Sequence, residues 1–324
     1  MSTCAIVIRT YNEERHIGRL LSGILQQTVK DVQIILVDSG STDATVRIAS
    51  RYPVEVVNIR PQDFTFGRSL NYGISHATAD FVVFASAHVY PVYPDWLEQL
   101  LAPFQSPAVA LTYGKQRAPG SAHFSEDQVW QQWFPDEHRP GQKHPFCNNA
   151  NDAIRRSLWE QRPFDETLTG LEDLDWAHWA QGQSHSIVYV PEAEVIHSHQ
   201  ENWKQVRNRY RREAMAFKQI FPQEKFSLFD LGRLFSVNVV NDWRAASRKE
   251  MLGEHWARIV SFRWNQFLGT YQGYRQSGSM TRDLREAFYY PRPADAPERS
   301  RREVLPIRYQ EEPPAPNHKP EESR

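Results

Sequence analysis

The sequence is poor in cysteine, with only Cys4 and Cys147 among its 324 residues. Two cysteines cannot build a disulfide framework, and Cys4 lies in an apolar strand pattern typical of a small core residue. No run approaches the roughly 20 apolar residues that a membrane-spanning helix needs. The opening stretch MSTCAIVIRTYNEE has no basic start before its short apolar run, unlike a secretory signal. We therefore expect a cytoplasmic protein.

Several common ligand-binding signatures are also missing. A dinucleotide fold carries G-x-G-x-x-G after its first strand, whereas this chain has T-Y-N-E-E at residues 10–14. That segment is neither glycine-rich nor basic, which disfavours a nucleotidyltransferase. Neither a P-loop nor a zinc-finger spacing occurs. These absences argue against dehydrogenases, P-loop NTPases and zinc-dependent nucleic-acid binders.

The first 115 residues instead alternate apolar strand patterns with helical ones. The strand patterns cover residues 4–10, 32–38, 54–59, 80–85 and 109–114. Strands that are apolar throughout and separated by helices predict an α/β fold with a mostly parallel central sheet flanked by helices. Ligands bind beyond the carboxyl ends of such strands. Three of these ends carry polar residues, at 10–13, 38–41 and 86–88.

The rest of the chain predicts three further regions. Residues 115–150 suggest a long loop over the site, and 186–199 a strand that ends in a histidine pair, His197 and His199. Residues 201–290 are helical in pattern, with many aromatics and 16 Lys/Arg against 9 Asp/Glu. This surface could rest on an anionic membrane, form an oligomer contact, or be an ordinary solvated face. Residues 291–324 hold 8 of the 21 prolines and predict a disordered tail. The domains are thus 1–200, 201–290 and 291–324.

Carboxylates and histidines supply candidate chemistry. Asp38 ends a buried strand at the predicted ligand edge. The segment G-L-E-D-L-D-W groups Glu172, Asp173 and Asp175 at a helix start; mutual repulsion raises their pKa values, which suits a proton acceptor, while ordinary helix-terminal charge is the alternative. His88 and His197 end two strands and could share a divalent cation, or be hydrogen-bonded structural residues.

The ordered set T-Y-N-E-E, L-V-D-S-G-S-T-D, G-R-S-L-N-Y-G, V-Y-P and F-D-E…G-L-E-D-L-D-W resembles the family 2 glycosyltransferases over residues 3–200. That resemblance implies the GT-A fold and an inverting enzyme that uses a nucleotide-sugar donor. It implies a nucleotide or donor site formed by Thr10, Tyr11, Asn12, Glu13, Asp38, Ser39, Ser41, Arg68, Asn71, Ser86 and His88. It also implies that Asp173 is the catalytic base, with Glu172 beside it.

The chain departs from the family at the acidic metal motif, where S-A-H stands at residues 86–88. His88 takes the place of the last aspartate, and His197 matches a histidine that serves some members as a metal ligand. Exchanging a carboxylate for neutral imidazole weakens affinity for Mn²⁺ or Mg²⁺. Either a weakly held cation or a metal-independent site follows. Members with a diluted acidic motif include rhamnosyltransferases, so a deoxysugar donor such as dTDP-rhamnose is expected.

The acceptor is expected to be a saccharide or lipid-linked hydroxyl in surface polysaccharide or glycolipid synthesis. Asn149, Asp175 and Trp176 are its predicted contacts. We expect no nucleic-acid partner, whereas a homo-oligomer and a peripheral contact with the inner face of the membrane stay open. The alternative function is a non-catalytic nucleotide-sugar-binding module that recruits partners through its helical arm. Retention of E-D-L-D disfavours this alternative, and loss of the acidic motif favours it.

Overall fold

The computed structural model describes residues 4–119, 123–137, 142–198, 201–276 and residue 307. Within them, eight strands form one sheet. The strands are β1 Cys4–Thr10, β2 Val32–Asp38, β3 Glu55–Asn58, β4 Phe81–Ser86, β5 Val89–Pro91, β6 Val109–Arg117, β7 Asn151–Arg155 and β8 Ser186–His197. The α-helices are α1 Ile17–Leu25, α2 Thr45–Ala49, α3 Phe66–Ser75, α4 Trp96–Leu101, α5 Phe124–Trp133, α6 Arg156–Trp159, α7 Glu172–Gly182, α8 Trp203–Ile220, α9 Leu228–Arg248 and α10 Leu252–Arg275.

The sheet has the strand order β3-β2-β1-β4-β7-β6-β8-β5. Strand β1 pairs in parallel with both β2 and β4, and β6 pairs in parallel with β8, whereas β7 and β5 pair antiparallel with their neighbours. The register sets Thr10 beside Asp38 and Arg9 beside Ser86. The predicted mostly parallel sheet is confirmed, and its polar strand ends lie side by side.

Alternation along the central strands buries side chains on both faces of the sheet. In β1, Ala5 and Val7 belong to one core, and Ile6 and Ile8 to the other. All four are fully buried. A strand covered on both faces needs apolar residues at every position, and this explains the continuous apolar runs of the sequence.

The long loop expected over residues 115–150 is wrong for much of its length. Strand β6 continues to Arg117, and α5 occupies 124–133. Phe124 packs in a small core with residues of α9 and α10, and Trp130 joins the core of the sheet. Helix α5 is thus held by contacts with distant parts of the chain, which local periodicity does not reveal.

The helical pattern predicted beyond residue 200 is confirmed from Trp203 to Arg275. Capping boxes at Asn202 and Ser227 start α8 and α9. Helices α8 and α10 approach closely at Gly269, where a Cβ atom would overlap the Arg207 carbonyl. No helix among the described residues has the length and apolar character to cross a bilayer.

The tail prediction for residues 291–324 lies outside the described residues, apart from Ile307. The backbone N–H of Ile307 donates to the Val92 carbonyl at 3.2 Å, just after strand β5. Residues 277–290 of the predicted helical region also lie outside the described part of the chain.

Candidate active site

A cavity of about 360 Å³ opens at the carboxyl ends of β1 and β4. Its other walls come from the start of α7, the end of β8 and one side of α8. Eleven residues predicted for the site line it: Thr10, Tyr11, Asn12, Glu13, Ser39, Ser86, His88, Asn149, Glu172, Asp173 and His197. Residues from most of the chain thus converge on one space of a size typical for small-molecule sites.

The loop after β1 is held in shape by the loop after β2. Asn12 has a left-handed backbone (φ 54°), its N–H donates to Ser41 Oγ at 2.9 Å, and its Oδ1 accepts from the Thr42 N–H at 2.8 Å. Glu13 donates its N–H to Thr45 Oγ1 at 2.6 Å. These bonds fix the position from which the Glu13 side chain reaches the cavity.

Asp38 and Ser41 lie behind the cavity instead of lining it. The Asp38 Oδ2 atom accepts the N–H groups of Gly40 and Ser41, each at 3.0 Å. Gly40 has φ 92°, a conformation that glycine adopts without strain. Asp38 is 3% exposed, and its Oδ1 is a buried acceptor without a hydrogen bond among the described residues. Asp38 therefore shapes the turn that brings Ser39 to the cavity.

The carboxylates at the start of α7 are held in two different ways. Glu172 Oε1 accepts from Arg9 Nη1 and from Asn149 Nδ2, both at 3.0 Å. The Asp173 oxygens accept the backbone N–H groups of Asn149 at 2.9 Å and of Leu174 at 2.8 Å. Glu172 is thus paired with an arginine, whereas Asp173 has only backbone donors.

Asp173 has the electrostatics of a proton acceptor at neutral pH. Burial, followed by the negative charge of Glu172, raises the pKa of Asp173 from 3.8 to about 7. The two backbone hydrogen bonds and the charge of Arg9 oppose this rise. A general base works best when its pKa lies near the working pH, because it is then ionised and still basic.

A second buried acid, Asp152, lies beneath this group. Asp152 is fully buried in β7, and its carboxyl oxygens have no hydrogen-bond partner among the described residues. Burial and the charge of Asp173 raise the pKa of Asp152 well above its usual range. The same surroundings raise the pKa of the Cys147 thiol. The sequence analysis missed Asp152, although its place after three asparagines near the site was a usable signal.

The two histidines lie together at the cavity. Their rings stack with centroids 5.0 Å apart and planes 23° apart. His88 Nδ1 donates to Glu13 Oε1 at 2.6 Å, and His197 Nδ1 donates to Gln116 Oε1 at 2.7 Å. Burial alone lowers the pKa of His88, but the carboxylates of Glu13 and Glu201 more than offset it, so that the pKa is raised. His88 therefore favours its cationic form more than a free histidine does.

The described residues do not by themselves complete a metal site. The rings of His88 and His197 lie face to face, and the Nδ1 atom of each is bound to a side chain, so only the Nε2 atoms could serve as ligands. Among the described residues there is no group of three or more His, Cys, Asp or Glu side chains that could hold an ion. The predicted ligand pair is present as a stacked, hydrogen-bonded pair, and its part in binding a cation stays a prediction.

Three arginines that line the cavity were not predicted: Arg9, Arg209 and Arg212. Arg9 and Arg212 each lie 4.7 Å from the ring centroid of Phe66, a cation–π distance. Arg209 donates to Glu126 at 2.6 Å and is paired with Glu201 at 2.7 Å, which ties α8 to α5. The arginines of α8 were read from the sequence as a possible solvated face, whereas that face closes the cavity.

Arg68 and Asn71 do not line the cavity, and the donor contacts expected of them stay a prediction. Arg68 Nε donates to Glu166 Oε2 at 2.7 Å on the surface. Asn71 is hydrogen-bonded to Phe164, Glu166 and Trp159. Both side chains join α3 to residues 159–166, because the side of α3 that carries them faces that loop.

Asp175 and Trp176 likewise lie on the side of α7 away from the cavity. Asp175 Oδ2 accepts from Arg162 Nη2 at 2.6 Å. Trp176 is fully buried, and its Nε1 donates to the Arg162 carbonyl. Because burial and these contacts with Arg162 hold both side chains against the loop before α7, stacking of Trp176 on an acceptor sugar is corrected to a core role.

Residues 5–162 match the family model described as Glycosyl transferase family 2. The chain contains a glycosyltransferase family 2 domain. It is 29% identical to the O-antigen chain rhamnosyltransferase RfbN of Salmonella typhimurium, over 60% of this chain and 66% of that protein. It is also 29% identical to the O-antigen chain rhamnosyltransferase WbaN of Salmonella anatum, over 65% of this chain and 70% of that protein.

The fold of this glycosyltransferase is shared by solved enzymes. The mannosyltransferase PcManGT from Pyrobaculum calidifontis, in complex with GDP-Man and Mn²⁺, has a TM-score of 0.59 at 16% identity and matches 84% of this chain and 86% of its own. At this identity the likeness concerns the fold alone. The predicted GT-A fold and the predicted enzyme class are confirmed, over the alternative of a non-catalytic binding module.

Proposed function

We propose that this glycosyltransferase moves a sugar from a nucleotide-diphosphate donor to a saccharide or lipid-linked hydroxyl, with inversion, in surface polysaccharide synthesis. The proposal is carried by Asp173. This residue lines the same cavity as the polar ends of β1 and β4, and its pKa is raised to about 7. The relatives named above are O-antigen rhamnosyltransferases. A 6-deoxysugar donor such as dTDP-rhamnose is therefore the first one to test.

In the proposed reaction Asp173 removes the proton from the acceptor hydroxyl. The acceptor oxygen forms a bond to the anomeric carbon while the bond from that carbon to the diphosphate oxygen breaks. The nucleoside diphosphate departs with the electron pair from the opposite face, so the configuration inverts in one displacement. Positive charge develops on the sugar ring and negative charge on the diphosphate, and both must be stabilised.

Side-chain cations of the cavity are suited to the departing diphosphate. Arg9 and Arg212 lie on the Phe66 ring, and His88 is biased towards its cationic form by Glu13. Guanidinium groups bind phosphate oxygens in a forked geometry and stay charged at any working pH. In the family, the carboxylates of the acidic motif bind a cation that supplies positive charge to the diphosphate. This chain lacks those carboxylates, and we infer that Arg9, Arg212 and His88 supply the positive charge.

The nucleoside is proposed to lie against the loops after β1 and β2. Thr10, Tyr11 and Asn12 line that part of the cavity together with Ser39. Glu172 is proposed as a positioning residue: with Arg9 and Asn149 it fixes the start of α7, and its charge raises the pKa of Asp173. The Asn149 side chain donates to Glu172, and its backbone N–H donates to Asp173. Asn149 is therefore proposed to position the base instead of binding the acceptor directly.

A nucleotide screen followed by a turnover assay tests this function. Thermal unfolding is measured with dTDP, UDP, GDP and CMP, each with and without Mn²⁺, and dTDP-rhamnose turnover is then followed by release of dTDP. One nucleotide should raise the melting temperature by several degrees, as expected for a ligand well above its Kd. If none does, the proposed donor site is refuted.

A matched pair of histidine variants tests the diphosphate contact. His88→Ala should weaken binding of the nucleoside diphosphate about tenfold or more, because it removes one charge-assisted contact. His76→Ala is the control, since His76 also donates to a carboxylate, Glu55 Oε1 at 2.7 Å, but lies away from the cavity. Equal effects of the two changes would show that His88 has only a structural role.

A further inference from the structure

Exposed apolar side chains are concentrated in α9 and α10. Among the described residues, ten large apolar side chains are exposed, and seven of them fall between residues 228 and 264. These seven are Leu228, Phe229, Val237, Val240, Met251, Trp256 and Trp264. A contiguous exposed apolar surface on a folded protein marks an interaction site more often than chance exposure does.

The two helices form a rigid hairpin. Arg263 makes two bonds to the Asp242 carboxylate, at 2.7 and 2.9 Å, and both residues are buried. The rings of Phe235 and Trp264 meet edge to face with centroids 5.7 Å apart. These contacts hold α9 against α10, and Trp264 takes part in them while staying half-exposed, so the exposed sides of the two helices are fixed relative to each other. We call these exposed sides together the hairpin face.

The hairpin face is cationic as well as apolar. On α9, Phe229, Val237 and Val240 recur at helical spacing on the exposed side, and Arg233 and Arg244 share that side. Exposed basic residues near these are Arg248, Lys249 and Arg258. The acidic residues of the hairpin that lie outside the buried pair are Asp230, Glu250 and Glu254. Positive charge thus exceeds negative charge among tryptophan, phenylalanine and valine.

We propose that the hairpin face docks on an anionic lipid surface. Tryptophan and phenylalanine enter the boundary between headgroups and acyl chains, and arginine pairs with lipid phosphates, so the composition matches that boundary. A second copy of the chain is a poorer occupant. A two-fold interface would bring the same cationic surface of each copy together, so positive charges would repel across it. The centres of protein interfaces are also depleted of charged residues.

The hairpin is linked to the cavity through α8. Helix α10 packs on α8 at Gly269 and Gly273, where any Cβ atom would overlap the backbone of α8. The opposite side of α8 presents Arg209 and Arg212 to the cavity. Docking would therefore hold the wall of the cavity at a fixed position relative to the lipid surface. This inference does not depend on which sugar is transferred.

Vesicle sedimentation of the full-length protein tests the inference. The protein should sediment with vesicles that contain phosphatidylglycerol, bind weakly to pure phosphatidylcholine, and be released by salt. Phe229→Ser with Trp256→Ser should weaken binding about tenfold or more, because two interfacial aromatics are lost. The control is Leu25→Ser with Tyr72→Ser, which removes two exposed apolar side chains elsewhere and should leave binding unchanged.

A charge variant keeps the test decisive if the aromatic variant unfolds. Arg244 and Arg248 are exposed, so Arg244→Gln with Arg248→Gln should leave the melting temperature unchanged and weaken binding about fivefold for each charge removed. Failure of the unaltered protein to bind anionic vesicles overturns the inference. So does a dimer, seen by light scattering, that Phe229→Ser with Trp256→Ser converts to a monomer, since a second copy would then cover the face.

Discussion

Replacing Asp173 by asparagine separates two consequences of its environment. The change keeps the shape of the side chain and removes its ability to take a proton. The pKa of Asp173 lies at about 7 instead of 3.8 because the group is buried beside Glu172. At about 1.4 kcal/mol for each unit of pKa, the charged form is disfavoured in the folded protein by about 4 kcal/mol.

The sign of the stability effect follows from the raised pKa. A carboxyl whose pKa is higher in the folded than in the unfolded state favours folding most when it is protonated. Its contribution is complete below about pH 4 and is lost as the pH rises to about 7. Asp173→Asn abolishes this dependence. The free energy of unfolding of the variant, relative to the unaltered protein, should therefore be higher at pH 8 than at pH 4 by up to about 4 kcal/mol.

Asp173→Asn also changes the hydrogen bonds at this position, but the comparison between the two pH values does not depend on that change. Asparagine has one carbonyl oxygen, so it cannot accept both backbone N–H groups that Asp173 binds, from Asn149 and Leu174. At pH 4 the folded protein holds Asp173 protonated, with one carbonyl oxygen like asparagine, and the bonds that the ionised form accepts at pH 8 already contribute to its pKa, so the expected difference is unchanged. Urea unfolding at pH 4 and pH 8, for both proteins, measures the difference.

Turnover supplies the second readout of Asp173→Asn. Loss of a general base should lower kcat about 10²–10⁴-fold while nucleotide binding stays close to unchanged. The unaltered protein should lose activity as the pH falls below about 7, because Asp173 becomes protonated. The residual activity of the variant should not decrease over the same pH range. Turnover within a few-fold of the original, or an unchanged pH profile, would refute the assignment of Asp173 as the base.

Three further changes probe the surroundings of the base and the helical region. Glu172→Gln should move the acid limb of the pH–rate profile to lower pH, because it removes the charge that raises the pKa of Asp173; an unmoved limb contradicts this. Asp152→Asn should stabilise the protein increasingly above about pH 4, since the pKa of this buried acid is raised, and melting curves against pH will show whether it does. Gly269→Ala should destabilise the protein by about 2–3 kcal/mol in urea unfolding because the methyl group overlaps the backbone of α8. Gly253→Ala is its control, because no atom lies within 4 Å of the added methyl group and alanine favours the helix.

The sheet and the edge that holds the site were predictable because their signals are local. A run such as CAIVIRT is apolar at every position, which indicates a strand buried on both faces. The polar residues that follow the strands had to meet at one edge once the strands were parallel. The observed pairing of Thr10 with Asp38 and of Arg9 with Ser86 has this origin. Short antiparallel strands such as β7, with the sequence NDAIR, gave no such signal because their neighbours hold them in place.

The remainder of the site depends on contacts that local patterns do not contain. Arg9 looked like one residue of a strand, and nothing nearby in the sequence indicates its pairing with Glu172. Arg209 and Arg212 belong to a helix that is basic around much of its surface. Which side of that helix is covered is decided by α10 and α5, which pack on it from other directions. The sequence likewise allowed Trp176 either an acceptor contact or a core position, and the packing of α7 decides for the core.

The closing of the cavity by α8 has a consequence for fragments of the chain that end before this helix. Residues 5–162, the span that matches the family, include neither Asp173 nor the arginines of α8. A fragment limited to residues 5–162 would lack Asp173 and the arginines of α8, which line the cavity of the full chain. We therefore expect such a fragment, grafted into another protein, to show no transferase activity.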